Sequence, residues 1–515
     1  MNKRVTGPYI LVHDIGTTSN KAVLFDISSG LVVSSITEFY DVKHPKILWA
    51  EQDPKEWWNA LKNSTKKLLK MSRINPNDII AVSFSGQMMS CLSVNKKGDP
   101  LLPAIIWMDQ RSINEVMYIK EKIGEENFYK ITGNRLSPTY PIAKILWLKN
   151  NKPRIYEQTL MFLQPKDFII MKLTGTLQTD YSDASLTGMM NIVTREWSSE
   201  MLSELNIDDN KLPPIKSSLY IVGEVTELAS KETSIPKGTP VVLGGGDGAC
   251  ATLGGGAIKI NDAYIYIGAS AWLSVVTNKP IFDSKMRIFN MAHIDQRLYS
   301  PIGTMQTAGA SLKWFRDNIF LAEKSVAEYI KSSSYEIIDI EASHSPPGSN
   351  GLIYLPYLMG ERSPWWNPYA KGTIIGITLK HTRNDLARSL LEGISYNLKI
   401  ILNTFEENEI KINEPITLIG GGGKSVLWAE ILSHILNYST AMIKYPEEST
   451  ALGAAITAAV ATKYYKDVSL IKNINKTIKI NKPNPQIVKK YKKMYDVFVK
   501  SYYSLLDVFT DLSNL

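Results

Sequence analysis

Cysteine is almost missing: 515 residues hold only Cys91 and Cys250, which excludes a disulfide framework or a Cys-rich metal site. Histidine is nearly as scarce. His13, His44, His293, His344, His381 and His434 form no HxxxH or HxH pair, so the usual zinc chemistry has no ligands. No G-x-S-x-G occurs, because "SFSGQ" lacks the first glycine of a nucleophile elbow. "TAGASLKW" reads as the small-residue start of an amphipathic helix rather than a nucleophile. No apolar run approaches the length of a membrane span. The start, "MNKRVTGPYILVHDIG", enters a strand without a secretory h-region, and these absences together point to the cytoplasm.

Positive charge is in excess, but it is local. The net charge is +8, and the segment from Lys466 to Lys500 carries ten Lys against Asp467 and Asp496, a net of +8, so the rest sums to zero. That segment has no Arg. Its end, "PQIVKKYKKMYDVFVKSYYSLLDVFTDLSNL", places Ile487, Tyr491, Met494, Phe498, Leu505, Phe509 and Leu512 at helical spacing. A C-terminal helix docked by one face, with Lys in solvent, is expected instead of a nucleic-acid arm.

What is present is a soluble composition, 44% hydrophobic and 21% charged, on a chain too long for one ordinary core. "YILVHDIG" and "NKAVLFDISSGLVVSSI" read as strands, the second pair turning near Gly30. "EQDPKEWWNALKNSTKKLLKM" reads as a helix with Asp53 as N-cap, Pro54 at the first position and Glu56 as the reciprocal capping group. "DIIAVSFSGQMMSCLSV" returns to strand, which implies an α/β domain. The pattern then starts again. "AYIYIGASAWLSVVTN" (263 to 278) repeats the form of "YILVHDIGTTSNKAVLFD" (9 to 26): strand, Ile-Gly, small or hydroxyl residues, strand. This predicts a duplicated architecture. The boundary is expected near "VVLGGGDGACATLGGGAIKI" (241 to 260), where glycine peaks.

"ITLIGGGGKSVLWAEIL" looks like a P-loop but fails on spacing: counting five back from Gly423 gives Leu418, not glycine. A glycine run between a strand and a helix instead suits close approach to a planar ligand at a helix N-terminus. "DIGTTSNK" is the better phosphate candidate, with a Gly turn, backbone N–H groups, three hydroxyls and one cation. Asp14 within it would hold Mg²⁺ rather than phosphate. A polar hairpin with a locally bonded Asp14 is the competing reading. Asp247 in "GGGDGA" is either a turn residue or a carboxylate on bare backbone that a hydroxylated substrate can approach.

Taken in order along nearly the whole chain, "DIGTTSNKAVLFD", "LWAEQDPKEWW", "SFSGQMM", "PAIIWMDQRS", "ITGNRLSP", "LQPKDFIIMKLTG", "TDYSDASLTGMMNIVTREWS", "GGGDGACATLG", "IYLPYLMGERSPWWNPYAKGTIIGIT", "DLARSLLEGISYNL", "LIGGGGKSVLW" and "TALGAAITAA" resemble the FGGY family of carbohydrate kinases, and within it the xylulokinases. The resemblance implies an α/β fold of two actin-like ATPase (ribonuclease H-like) domains, mixed sheets flanked by helices, with the active site in the inter-domain cleft. It places an N-terminal domain at 1–253, a nucleotide-binding C-terminal domain at 254–465, and a basic segment with a C-terminal helix at 466–515. It implies transfer of the ATP γ-phosphate to a sugar hydroxyl with Mg²⁺, no nucleic-acid or membrane partner, and a homodimer as the family's frequent assembly. By the same resemblance Asp247 is the catalytic base, and Asp14 and Asp247 are the acidic residues at the metal. Gly16, Thr17, Thr18, Ser19 and Lys21 form the first phosphate loop, Gly268 and Ser270 lie on the second, and Gly309, Gly422 and Gly423 contact the nucleotide. Gln87, Met88, Met89, Trp107, Asp109, Gly248 and Trp272 are the implied sugar-pocket residues.

The chain departs from the xylulokinase pattern in three places. Met89 replaces the usual His after "GQM", Gly248 replaces the usual Asn after the base, and Ala269 replaces Thr in the second loop, with Ser270 as the remaining hydroxyl. Losing polar groups from a sugar pocket alters selectivity. "DYSDASLTGMMN" and "GDG" also resemble FGGY gluconokinases, so gluconate, ribulose or a polyol are alternative substrates. The Arg-Glu pair of glycerol kinases is absent from "SGQMMS". A non-catalytic actin-like ATP-binding protein is the alternative from another class, and it would not need Asp247.

Overall fold

The computed structural model describes residues 7–514, which divide into two compact units. The first comprises residues up to Ile258 together with Thr277–Pro301 and Glu448–Ile474. Its sheet is built on β1 (Tyr9–Ile15), buried at nearly every residue, the signature of a central strand covered on both faces. β2 (Ser19–Asp26) and β3 (Leu31–Phe39) follow as antiparallel neighbours. β4 (Ile79–Gly86) lies parallel on the other side of β1. β5 (Ile221–Glu224) and β6 (Pro240–Val242) complete the order β5–β6–β4–β1–β2–β3, and the two-residue β7 (Gly245–Gly246) runs parallel beside β4. Leu11, Leu24, Trp57, Leu61, Phe84, Phe168 and Val241 belong to one continuous apolar core.

The second unit comprises Lys259–Val276, Ile302–Glu447 and the residues from Asn475 onward. Its sheet contains β8 (Ala263–Ile267), β9 (Ala271–Val275), β10 (Ile302–Met305), β11 (Ile416–Ile419), β12 (Thr440–Ile443) and β13 (Thr477–Asn481), ordered β10–β9–β8–β11–β12–β13. The directions match the first sheet strand for strand. β8 is antiparallel to β9 and β9 to β10, as β1 is to β2 and β2 to β3. β8–β11–β12 is a parallel run closed by an antiparallel β13, as β1–β4–β6 is closed by β5. The repeated hairpin in the sequence is thus the visible end of a whole repeated sheet.

The chain is not divided by one cut. Helix Ser449–Ala461 follows the second glycine-rich segment in sequence but packs in the first unit against helix Asp247–Gly254. The two backbones touch. A Cβ on Gly453 would lie 2.0 Å from the Cys250 carbonyl oxygen, and one on Gly254 would lie 1.7 Å from that of Ser449. Cys250 and Cys91 are both free and buried, as a chain without disulfides requires.

Two local expectations are corrected. Asp53 caps helix Pro54–Ser72 by accepting the Lys55 N–H, but Glu56 does not complete a capping box and instead faces Lys43 at 3.7 Å. The C-terminal helix breaks at Leu505 into Pro485–Ser504 and Leu506–Ser513. Its buried face is Tyr491, Phe498, Tyr502 and Phe509, whereas Leu512 is half exposed. Tyr502, absent from the expected face, is held by stacking on Trp365 at 4.2 Å.

The contact at Gly453 generates a stability test. Gly453→Val should cost about 3 kcal/mol by overpacking, a fall of roughly 5 °C in the Tm of a unit of this size. Thermal unfolding followed by calorimetry checks this, and an unchanged Tm would contradict the close approach.

Candidate active site

The first unit gathers its chemistry at the carboxyl ends of the parallel strands, where open α/β sheets bind ligands. Asp14 is the sixth residue of β1, and register places it beside Lys21 of β2 and Ser85 of β4. Ser85 pairs onward with Gly245 of β7, so Asp247, two residues later, starts its helix at the same sheet edge. Burial raises the Asp14 carboxyl, opposed by the neighbouring Ser85 and the charge of Lys21. Burial and then the charge of Asp14 push Asp247 up to about 7. Asp247 is deep but partly accessible, and its one hydrogen bond among the described residues is from the adjacent Gly248 N–H at 2.7 Å. Its remaining lone pairs are open to a ligand.

Three glycines make this placement possible. A Cβ on Gly244 would lie 2.0 Å from the Phe84 carbonyl oxygen, one on Gly245 would lie 2.7 Å from Ile294, and one on Gly246 would lie 2.5 Å from the Met88 side chain. The Asp-Gly motif is therefore a strand pressed against β4 that turns into a helix.

The loop between β1 and β2 has every carbonyl from Gly16 to Ser19 bonded back into the unit. Gly16 O accepts from Tyr40 OH (2.6 Å) and Gln87 Nε2 (3.2 Å), and Thr17 O accepts from Gln52 Nε2 (2.6 Å). Thr18 O accepts from the Tyr40 N–H (3.0 Å), and Ser19 O accepts from the Gly16 N–H (2.9 Å) and Tyr40 OH (2.9 Å). In a planar trans peptide the C=O and the following N–H point opposite ways. Holding Gly16 O and Thr17 O inward therefore turns the Thr17 and Thr18 N–H groups away from those partners, the arrangement of an anion-binding nest. Trp107 Nε1 donates to Thr17 Oγ1 at 2.9 Å, and Lys21 Nζ lies 3.4 Å from Glu448 Oε1.

The same device recurs in the second unit. Between β8 and β9, Gly268 O accepts from the Gly309 N–H, Ala269 O from the N–H groups of Ala308 and Ala310, and Ser270 O from the Gly268 N–H, all at 2.8–2.9 Å. The Ala269 and Ser270 N–H groups are turned the other way by the same peptide geometry. Gly309 is glycine because a Cβ there would lie 2.5 Å from the Gly268 carbonyl oxygen. The glycine run is a 3-10 turn, Gly421–Lys424, ahead of helix Val426–Leu436, whose N-cap Ser425 accepts the Trp428 N–H. Gly420 (φ 81°) and Gly422 are required by close packing on Ile267, and Lys424 is exposed and paired with Glu447 at 3.1 Å. This is not a phosphate-wrapping loop, as the spacing indicated.

The expected sugar-pocket residues separate. Gln87 and Met88 are buried beside the first loop and β7, and Gln87 Oε1 accepts no hydrogen bond among the described residues. Met89 takes a left-handed conformation (φ 63°), and its carbonyl is held at 2.6 Å by Lys144, whose ammonium also reaches Ile106 O and Thr139 O. Burial lowers Lys144 to about 7 against the opposing charge of Asp109. Gly248 lies in the first turn after Asp247 and donates its N–H to that carboxyl. Asp109 differs from the expectation of a substrate contact: it is fully buried, with both oxygens engaged by Arg111 and one also by the Ala50 N–H. It orients Arg111, which stacks 3.6 Å over Trp49 and pairs with Glu51. Trp272 belongs to the second unit, stacked on Tyr266 at 3.9 Å with its indole N–H on Tyr264 OH.

Sequence reading missed Tyr40, Gln52 and Glu448. Gln52 and Gln87 share a 2.8 Å hydrogen bond, and such distant polar pairs leave no local periodicity to detect. The donor set of two carboxylates and outward amides fits a hard divalent cation with phosphate oxygens. No cluster of three or more His, Cys, Asp or Glu able to hold a metal occurs among the described residues, and Mg²⁺, which needs only one or two carboxylates, does not require one. No helix among them is long and apolar enough to cross a membrane.

Residues 9–254 match the FGGY family of carbohydrate kinases, N-terminal domain, and residues 263–462 match its C-terminal domain. The chain is 33% identical to a xylulose kinase of Staphylococcus xylosus over 89% of its length and 92% of that protein. It is 32% identical to a gluconokinase of Bacillus subtilis over 98% of both. A solved xylulose kinase of Lactobacillus acidophilus superposes with a TM-score of 0.88 at 29% identity, covering 98% of this chain and 99% of that one. The repeated sheets, the paired loops and these matches agree, and the chain belongs to the FGGY family of carbohydrate kinases.

Proposed function

We propose that this kinase transfers the γ-phosphoryl group of ATP to a hydroxyl of D-xylulose, forming D-xylulose 5-phosphate, with Asp247 receiving the hydroxyl proton. The observation that carries the reading is the Asp247 carboxyl: deep, facing Asp14, and bonded only to its own neighbour among the described residues. A structural carboxylate in such a place would be saturated, as Asp109 is. A binding protein would have no use for an unsaturated one.

The remaining assignments follow the chemistry of each group. Thr17 and Thr18 N–H, with Ser19 and Lys21, would bind phosphate oxygens, and the Ala269 and Ser270 amides would do the same from Gly268–Ser270. Gly309, Gly422 and Gly423 would meet the nucleotide. Asp14, with Asp247, would hold Mg²⁺, which when bound neutralises phosphate charge. Phosphoryl transfer needs alignment and charge stabilisation more than covalent chemistry, and fixed amides supply both without reorganising. Asp247 would orient the hydroxyl and accept its proton as the bond to phosphorus forms. Gln87, Met88, Met89, Trp107, Gly248 and Trp272 would shape the sugar site. The enzyme would work in the cytoplasm, where ATP and Mg²⁺ are supplied and Cys91 and Cys250 stay reduced.

A neutral sugar is favoured over an aldonate on charge. Basic residues near Asp14 and Asp247 already have partners: Arg111 has Asp109 and Glu51, Lys144 three carbonyls, Lys166 three aspartates and Lys21 Glu448. A substrate carboxylate would meet Asp14 and Asp247 without a compensating charge.

ADP release measured with D-xylulose, D-ribulose, glycerol and D-gluconate should be highest with D-xylulose; preference for gluconate would overturn the substrate. Asp247→Asn should lower kcat by about a thousandfold, the range of a lost general base, with ADP affinity nearly unchanged. Retained turnover would remove Asp247 from its role. Because Asp247 must be ionised to accept a proton and its value lies at about 7, kcat/KM for the sugar should fall by about tenfold per pH unit below that point and level off above it. A profile flat down to pH 5 would contradict the raised carboxyl.

A further inference from the structure

Behind Asp247 lies a buried ionic cluster with no direct place in the chemistry. Lys166 Nζ is 2.9 Å from Asp167 Oδ1, 3.2 Å from Asp180 Oδ1 and 3.2 Å from Asp183 Oδ2, and all four side chains are fully buried. One ammonium faces three carboxyls. Burial raises Asp183 well above the carboxylate range, with Asp180 and Asp167 adding to it against Lys166. Burial alone would lower Lys166, but the three aspartates overcome it and hold the ammonium charged. Buried ion clusters contribute little net stability and are costly to break, so position matters more than strength here.

The position is informative. Asp180 Oδ2 accepts from the Ser182 N–H (2.9 Å), Ser182 Oγ (2.5 Å) and Ser218 Oγ (2.8 Å). Ser182 Oγ, its proton directed to Asp180, accepts the Gly246 N–H at 2.9 Å. Ser218 presents its backbone oxygen to the Gly244 N–H at 3.0 Å. Both ends of the Gly244–Gly246 segment are therefore tied to one carboxylate through two serines. Asp247 is the next residue. Its side chain has no anchor among the described residues beyond the Gly248 N–H, so its backbone sets where its oxygens lie.

We infer that Asp180 is a positioning residue for Asp247, acting through the hydroxyl of Ser182 and through Ser218 to fix the Gly244–Gly246 strand. The inference rests on the reading of Asp247 as the proton acceptor. Lys166 holds the other oxygen of Asp180, and the absence of side chains on Gly245 and Gly246 lets the strand sit against Ser182 and Met88. A shift of about 1 Å in a reacting group costs up to about a hundredfold in rate, so each tie affects turnover more than binding.

The test uses the full chain with Ser182→Ala, Ser218→Ala and Ser182→Thr, which leave the Lys166 ion pairs in place. Active sites are counted by ADP titration. Ser182→Ala and Ser218→Ala should each lower kcat per site by about ten- to a hundredfold, with KM for the sugar within about twofold. Ser182→Thr, which keeps the hydroxyl, should restore most turnover. Wild-type kcat per site in both alanine variants would overturn the inference, as would a loss confined to the number of competent sites. If Asp247→Asn is inactive while both alanine variants behave as wild type, only the positioning role falls. If Asp247→Asn keeps its turnover, the reading of Asp247 falls and takes this inference with it.

Discussion

Everything in the two candidate loops depends on where their carbonyl oxygens go. A turn of four residues has as many acceptors as donors, and left to itself it presents both to a ligand. Here Tyr40, Gln52, Gln87 and a backbone N–H bind the oxygens of Gly16 to Ser19, and the segment Ala308–Ala310 binds those of Gly268 and Ala269. Only amides remain for an anion. On the proposed reading each loop would offer polyphosphate fixed amides that need no rearrangement, with Lys21 beside the first. The two sheets reach this state with different partners, side chains in one and a helix start in the other.

Beside the first loop, within its own unit, stands a pair of carboxyls. Asp14 and Asp247 lie at one sheet edge because β1, β4 and β7 are in register, and their mutual repulsion adds to the effect of burial in raising Asp247. A carboxyl near neutrality is a better proton acceptor for an alcohol than an ordinary one. It also gives this part of the fold its cost, since burying like charges is unfavourable unless each is compensated. The unit supplies compensation selectively. Lys21 serves Asp14, Arg111 serves Asp109 and Lys166 serves three aspartates, but Asp247 is left open.

Some of this was legible in the sequence and some was not. The hairpins at 9–26 and 263–278 revealed duplication because an apolar strand, a Gly turn and a second strand are local patterns. The match of all six strand positions was hidden, since β6 reaches β4 across a long stretch of chain and the outer strands carry no shared motif. The failed P-loop spacing was a sound exclusion, and the structure adds its reason: Gly420 and Gly422 are glycines because Ile267 lies against them. Asp109 and Asp247 could not be told apart from residue type. Only burial and partners separate a saturated carboxylate from an open one. Tyr40, Gln52, Glu448 and Ser182 act across long stretches of chain, and neither hydrophobic period nor capping pattern reveals such bonds.

Amide hydrogen exchange at the two loops tests the central claim most directly. With ADP and Mg²⁺ bound, exchange at Thr17, Thr18, Ala269 and Ser270 should slow, while the carbonyl-holding partner segment around Tyr40 stays unchanged. Bound nucleotide with no added protection at either loop would contradict the account.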